Sequence, residues 1–398
     1  MSDPKPPLEQ IPTPDFAYVG EASYSLESEP ERPAPHQRKK PVFRVGYQGK
    51  AGDIMGLHIV NLLLSIITLG IYSFWGKTRI RRYMSSHLVL GKDRFQYTGT
   101  GQELFIGWLK ALIIFAPVTF GLAIPFVNFF IYPIFFGVLA TAGFLALRYR
   151  LSRTRWRGIG FNMGGHAGHY LWLSIKRALL NFVTMGISIP SSDIKKWSYM
   201  AGHMRYGAQE FTYEGDHKRI FQTHIITAVI GVGLYMLWGF YFMQHAASLQ
   251  MLSALEGQDP AQVTEQQRMQ VEAAVHTLIW GVIIPLYGIV GVSLLARVWY
   301  TAALWREKFR GLQAGEVRFK LDITGGQLAW LQISNLLIVI LTLGLASPIT
   351  THRTLRFFAS HLRVGGDINS LVVKQDRVKR VSGFGDAMAA DVGFDLGL

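Results

Sequence analysis

Three stretches of the chain set an apolar helical run before a basic amphipathic one, in the same register. The first runs from Asn61 through Thr68, Gly70 and Ile71, then through Arg79, Arg82, Tyr83, Ser86, His87 and Leu88 to Gly91. The third runs from Asn335 through Thr342, Gly344 and Leu345, then through Arg353, Arg356, Phe357, Ser360, His361 and Leu362 to Gly365. A degenerate second copy keeps the spacing with Thr184, Gly186, Pro190, Lys195, Tyr199, His203 and Gly207. Fixed internal spacing marks one supersecondary unit used three times. Aromatics at alternate positions near glycine, as in Phe95-Gln-Tyr97-Thr-Gly99 and Phe211-Thr-Tyr213-Glu-Gly215, predict short strands flanking each helix pair.

Between the copies lie uncharged runs, Ala111 to Leu147, Ile220 to Leu255 and Ala273 to Ala296. A helical crossing needs about 20 apolar residues, so these runs place the chain in a membrane, with Pro125 and Asn128 breaking the first into two spans. The fold expected is an all-α polytopic membrane protein, its three internal repeats linked by two transmembrane helical hairpins. The segments are a Pro-rich arm (1–42), repeat one (43–103), hairpin one (104–147), repeat two (148–219), hairpin two (220–303), repeat three (304–375) and a polar tail (376–398). Hairpin two carries a helical extension over 244–276, with Asp259 and Pro260 as its start signal.

Charge sets the orientation. The 398 residues carry a net charge of +14, and Lys and Arg collect around the repeats. The hairpin turns are uncharged or acidic, with Glu256, Asp259, Glu265 and Glu272 in the second. The positive-inside rule puts the repeats and both termini in the cytoplasm. Leu57 to Gly76 and Leu328 to Thr351 are long enough to span, which would make seven crossings. In copy two, however, Lys176 and Arg177 interrupt the helix. A structure common to all three copies therefore favours four crossings plus three shallow re-entrant hairpins.

The threonine and glycine of each bend (Thr68 and Gly70, Thr184 and Gly186, Thr342 and Gly344) suit a helix that ends inside an apolar environment. The hydroxyl bonds back to the preceding turn and the glycine tolerates a left-handed cap. After the bend, Arg79, Arg81 and Arg82, Lys195 and Lys196, and Arg353 and Arg356 are candidates for contact with anionic headgroups. The competing reading is simple positive-inside anchoring. The triplicated His87, His203 and His361 could converge on a metal or a proton path. Filling one local hydrogen-bonding role three times is the favoured reading, since no carboxylate or cysteine stands at ligand spacing. No metal and no cofactor are expected, and the dispersed cations do not suggest nucleic acid. Neither a catalytic motif nor an Asp or Glu within the confident spans is found, so an enzyme and a coupled transporter both lose ground.

The Asn-Leu-Leu-x-Ile-x-Thr-Leu-Gly-Ile/Leu run with its following Arg-Tyr/Phe, the element Arg94-Phe95-x-Tyr97-x-Gly99-Thr-Gly101 and the run Gly366-Asp367-Ile368 resemble the YjgN-like family of bacterial inner-membrane proteins, a domain of unknown function. The resemblance covers about Phe43 to Val373 and implies a multi-pass inner-membrane protein with a cytoplasmic C-terminus. It implies no activity and no catalytic residues. The chain departs from the family in its proline-rich arm and in copy two, where the Asn is lost and Ser198 replaces a basic residue. The function expected is non-enzymatic handling of lipid or small solute, or membrane organisation, through contact with anionic phospholipids. The alternatives are an uncoupled transporter with its path between the hairpins and a scaffold whose N-terminal arm recruits a protein partner.

Overall fold

A computed structural model describes residues 41–122, 124, 127–254 and 264–371. The Pro-rich arm, the turn residue Pro125, the start signal Asp259-Pro260 and the polar tail lie outside the described residues.

The expectation of an all-α protein is corrected: ten short strands close into an antiparallel barrel. In chain order they are β1 (Val42–Tyr47), β2 (Leu88–Leu90), β3 (Asp93–Tyr97), β4 (Thr154–Trp156), β5 (Ile159–Met163), β6 (Met204–Tyr206), β7 (Gln209–Tyr213), β8 (Leu312–Ala314), β9 (Val317–Leu321) and β10 (Leu362–Gly365). Each strand pairs with its neighbours in sequence, and β1 closes on β10 through Val42↔Gly365, Phe43↔Val364 and Arg44↔Arg363. Closure leaves no free edge, so strands of three to six residues suffice. Neighbours such as β1 and β2 stand about forty residues apart, and no local pattern of three or four residues announces a pairing at that distance.

Alternate connections are two-residue turns. Gly91-Lys92, Gly207-Ala208 and Gly315-Glu316 put a glycine with positive φ first, whereas Arg157-Gly158 has positive φ at both residues. These are the mirror-image turns whose twist matches that of paired strands. The other connections are helical hairpins. The short ones are α1 (Ala51–Ile67) with α2 (Ser73–Ser86), α5 (Ala167–Val183) with α6 (Ile189–Ala201), and α10 (Gly325–Leu341) with α11 (Ser347–His361). The long ones are α3 (Gly101–Leu122) with α4 (Val127–Arg153), and α7 (Lys218–Ala254) with α8 (Glu265–His276), which a π-helical stretch (Thr277–Ile283) joins to α9 (Ile284–Arg310). In an antiparallel meander, alternate connections fall at the same end. All five hairpins therefore spring from one rim, and the tight turns form the other.

The barrel is filled by its own side chains. Val45, Leu90, Trp156, Met163, Phe211, Leu312, Val317 and Val364 belong to one buried cluster, with Phe43, Phe95, Phe161 and Phe319 packed against it. Tyr206 donates its hydroxyl to the Trp156 carbonyl at 2.9 Å, and burial pushes that phenol up to about 12, so it stays a neutral donor. Ile368, 2% exposed, closes the turn rim beside Gly91. Outward positions are basic. Arg44, Arg363 and Lys320 stand side by side on β1, β10 and β9, and Asp322 bridges the last two at 3.2 and 3.0 Å.

Among the described residues, three helices are long and apolar enough to cross a membrane: Ile134–Arg153, Lys218–Gln244 and Glu265–Arg310. In α7 and α9, apolar side chains such as Val229, Met236, Leu237, Tyr287 and Leu294 are exposed. That is the surface lipid would cover.

Candidate functional site

The three short hairpins share one bend, built from backbone conformation upward. Leu69, Met185 and Leu343 adopt φ of 49°, 50° and 48°, and the glycine after each continues at 89°, 87° and 85°. The left-handed stretch thus includes the residue before the glycine as well as the glycine itself. Gly70 N–H donates to the Ser65 carbonyl at 2.7 Å and Leu69 N–H to that of Ile66 at 3.2 Å. This double bond is a Schellman cap, and it recurs at Gly186 and Met185 and at Gly344 and Leu343. The threonine before it works twice: Thr68 Oγ1 donates to the Leu64 carbonyl at 2.8 Å and accepts Tyr72 N–H at 2.9 Å. Thr184 and Thr342 repeat both contacts. The N–H groups freed by the bend are thereby paired within the protein, the condition lipid imposes on buried donors.

The tip itself is apolar and bare. Leu69 and Met185 are 94% exposed and Leu343 is 92% exposed, flanked by exposed Ile67, Val183 and Leu341. A large apolar side chain in a left-handed conformation costs about 1–2 kcal/mol, so three such tips need a compensating environment.

Below the tip, an asparagine ties the two helices together. Asn61 Nδ2 donates to the Gly76 carbonyl at 3.3 Å, and Asn335 Nδ2 to Thr354 Oγ1 at 3.2 Å. Copy two has Arg177 at the matching position but carries Asn181 one turn nearer the tip. Its Oδ1 accepts from Ser188 Oγ and Ser192 Oγ at 2.6 and 2.8 Å. The tether has moved rather than vanished, and the signal was the Asn181, Ser188, Ser192 spacing.

The triplicated histidines end the basic helices. His87 and His203 place Nδ1 2.7 Å from the carbonyls of Tyr83 and Tyr199, and His361 places it 2.8 Å from that of Phe357. A carbonyl only accepts, so Nδ1 carries the proton, and each ring packs on the aromatic four residues back. Among the described residues no three His, Asp or Glu side chains gather as a metal site would require.

Some of the candidate cations are engaged within the protein. Arg82 donates to the Gly99 carbonyl at 3.3 Å, Arg353 to Ser334 Oγ at 2.8 Å, and Lys196 pairs with Asp193 at 3.3 Å. Arg81 is partly buried, whereas Arg79, Lys195 and Arg356 are exposed, as is Arg82. The apolar face of α2 is turned to protein: Met84 is buried with Ile54 and Leu355, and Ile80 and Tyr83 pack on them.

Each bend, or the helix that follows it, lies against the foot of a neighbouring element. Phe74 packs edge-on to Phe105 and tilted against Trp108, both at 5.6 Å, in the first turns of α3. The Gly186 carbonyl accepts from His224 Nε2 at 3.0 Å, two turns into α7, and His352 of α11 sits 5.1 Å from Tyr47 of β1. At 1.5 Å per residue these contacts on α3 and α7 fall within roughly 10 Å of the helix starts.

The family model for bacterial proteins of unknown function, DUF898, matches residues 43–391. The inner membrane protein YjgN of Salmonella typhimurium is 24% identical over 367 residues, 83% of this chain and 90% of that protein. The inner membrane protein YjgN of Escherichia coli K12 is 26% identical over 130 residues, 32% of this chain and 33% of that protein. No solved structure matches. With the family model covering nearly everything from β1 through the barrel's closing strand and beyond, the chain belongs to the DUF898 family of bacterial proteins of unknown function.

Proposed function

We propose that this chain is a non-enzymatic protein of the bacterial inner membrane. Its two long hairpins cross the bilayer, its barrel stands in the cytoplasm, and its short hairpins dip into the cytoplasmic leaflet to hold anionic lipid headgroups. The observation that carries the reading is the thrice-built tip. A bare apolar residue over a helix end whose N–H groups are capped from within is suited to acyl chains, and exposed cations on the returning helix are suited to phosphates. Contacts of the bends with the feet of α3 and α7 support a shallow position over a crossing one. The cations along the barrel wall support a cytoplasmic barrel under the positive-inside rule.

The test is lipid preference. In nanodiscs the full chain is expected to enrich phosphatidylglycerol over phosphatidylcholine around itself, measured by native mass spectrometry of co-released lipid. Replacing Arg79, Arg82, Arg353 and Arg356 together by Ala should abolish most of that enrichment, given about 1 kcal/mol per basic residue near an anionic surface. Equal retention of both lipids by the unmodified chain would end the proposal.

A further inference from the structure

We infer that a groove between the second short hairpin and the second long hairpin is a built site for a single glycerophospholipid with an anionic phosphodiester headgroup. The inference rests on the lipid reading above but on none of its cations. The groove is open, about 360 Å³, and runs between the Met185–Ile189 bend and the facing sides of α7 and α9. Its walls are apolar, with Ile187, Ile225, Val232 and Leu294 among them, and its one charged lining residue is Arg297.

Arg297 is the first charge after the uncharged run Ala273 to Ala296, and it is exposed. Its guanidinium lies over the Tyr300 ring at 5.5 Å. Among the described residues no carboxylate pairs with it. Asp193 of α6, which reaches Tyr300 on the same helix as Arg297, already accepts that hydroxyl at 2.8 Å and pairs with Lys196. An arginine at the end of an apolar membrane stretch that meets no carboxylate among the described residues is left to take its counter-charge from outside the protein, and the planar fork of donors suits two phosphate oxygens.

Two further groups have unmet hydrogen-bonding capacity. His224 is 3% exposed, and its Nε2–H donates to the Gly186 carbonyl. Its Nδ1 is therefore an acceptor, and it has no partner. Ser293 Oγ is buried without a partner on the same groove. An acceptor and a hydroxyl on the same groove as a guanidinium fit a phosphate ester that carries its own hydroxyl, as a glycerol headgroup does. The apolar walls fit the acyl chains below it.

Short-chain phosphatidylglycerol titrated into the detergent-solubilised full chain, followed by native mass spectrometry, tests this. One lipid should bind saturably, and Arg297→Gln should weaken it about tenfold, the loss of one charge-assisted contact. Melting in lipid-free detergent should be unchanged. If Arg297→Gln does not fold, Arg297→Lys serves in its place. It keeps the charge without the fork and should still weaken binding severalfold. Unchanged affinity in the folded variant would overturn the inference, and so would equal binding of phosphatidylcholine. Displacement by sn-glycerol 3-phosphate at equal concentration would reassign the site to a free phosphate and overturn the lipid. Loss of enrichment in the fourfold arginine variant, with the saturable site intact, would separate the two readings. A saturable site that resists Arg297→Gln, alongside enrichment that the fourfold variant removes, would sink this inference alone.

Discussion

Leu69, Met185 and Leu343 hold a backbone that glycine would adopt freely, and they hold it while exposed. Selection for stability alone would place a second glycine there, so the side chain has a use at the tip. Two effects of opposite sign follow from Leu→Gly at positions 69 and 343. Relief of the left-handed strain, less the extra freedom gained by the unfolded chain, should raise stability in detergent by about 0.5 kcal/mol per site. Loss of the side chain removes about 1.5–3 kcal/mol of burial in acyl chains. In nanodiscs, amide exchange over residues 65–72 and 339–346 should therefore quicken about tenfold, although the melting temperature in detergent does not fall. Slower exchange at the tips would show that they face water. The sequence marked the glycine and the threonine at this scale. The residue between them was invisible as a left-handed position because leucine and methionine carry no propensity for it. The histidine was legible as a repeated residue, and its capping bond required coordinates.

At the scale of the element, each hairpin is held by an asparagine between its helices, and copy two shows that the tether is defined by geometry rather than alignment. Asn181→Ala would leave the Ser188 and Ser192 hydroxyls without their shared acceptor. A cost of about 2 kcal/mol is expected from two lost, partly buried hydrogen bonds, read as a lower melting temperature. Asn181→Asp keeps the acceptor oxygen and should cost less. If both variants melt alike, the two hydroxyls have other partners. Position-by-position comparison with copy one makes copy two read as degenerate, because Arg177 stands where Asn61 does. The asparagine reappears one helical turn along, on the same face, so the spacing of the sequence preserved the contact and its register did not. Lys308 shows the same limit. Its ammonium lies 5.1 and 4.6 Å from the rings of Trp197 and Trp305, fastening α6 to α9 across more than a hundred residues.

At the scale of the molecule, the barrel converts five hairpins into one directional object. Strand segments as short as Leu88–Leu90 gain permanence from closure, and closure depends on filling the lumen and sealing its ends. Ile368, just past β10, seals the turn rim; Ile368→Ala should destabilise the whole fold by about 2–4 kcal/mol with no change in the hairpins' lipid contacts. The period-two signal was legible strand by strand, but the ring was not, because its pairings span whole hairpins. The ring also decides what topology to expect. A hairpin that leaves and re-enters the same rim makes an even number of crossings, so three spanning short hairpins would add six crossings rather than three, and a seven-span chain conflicts with closure. Single cysteines at Glu210 on the barrel wall, Ser360 at the end of α11 and Gln266 in α8 probe this directly, since the chain has no cysteine of its own. With a membrane-impermeant thiol reagent on intact cells, position 266 alone should label. After permeabilisation all three should. A cysteine at Leu69 separates shallow from spanning short hairpins: it should stay unlabelled from outside and become reactive only when lipid is removed. Labelling at 69 together with 266 in intact cells would mean that the first short hairpin reaches the far face, and the account of shallow tips resting among headgroups would be lost.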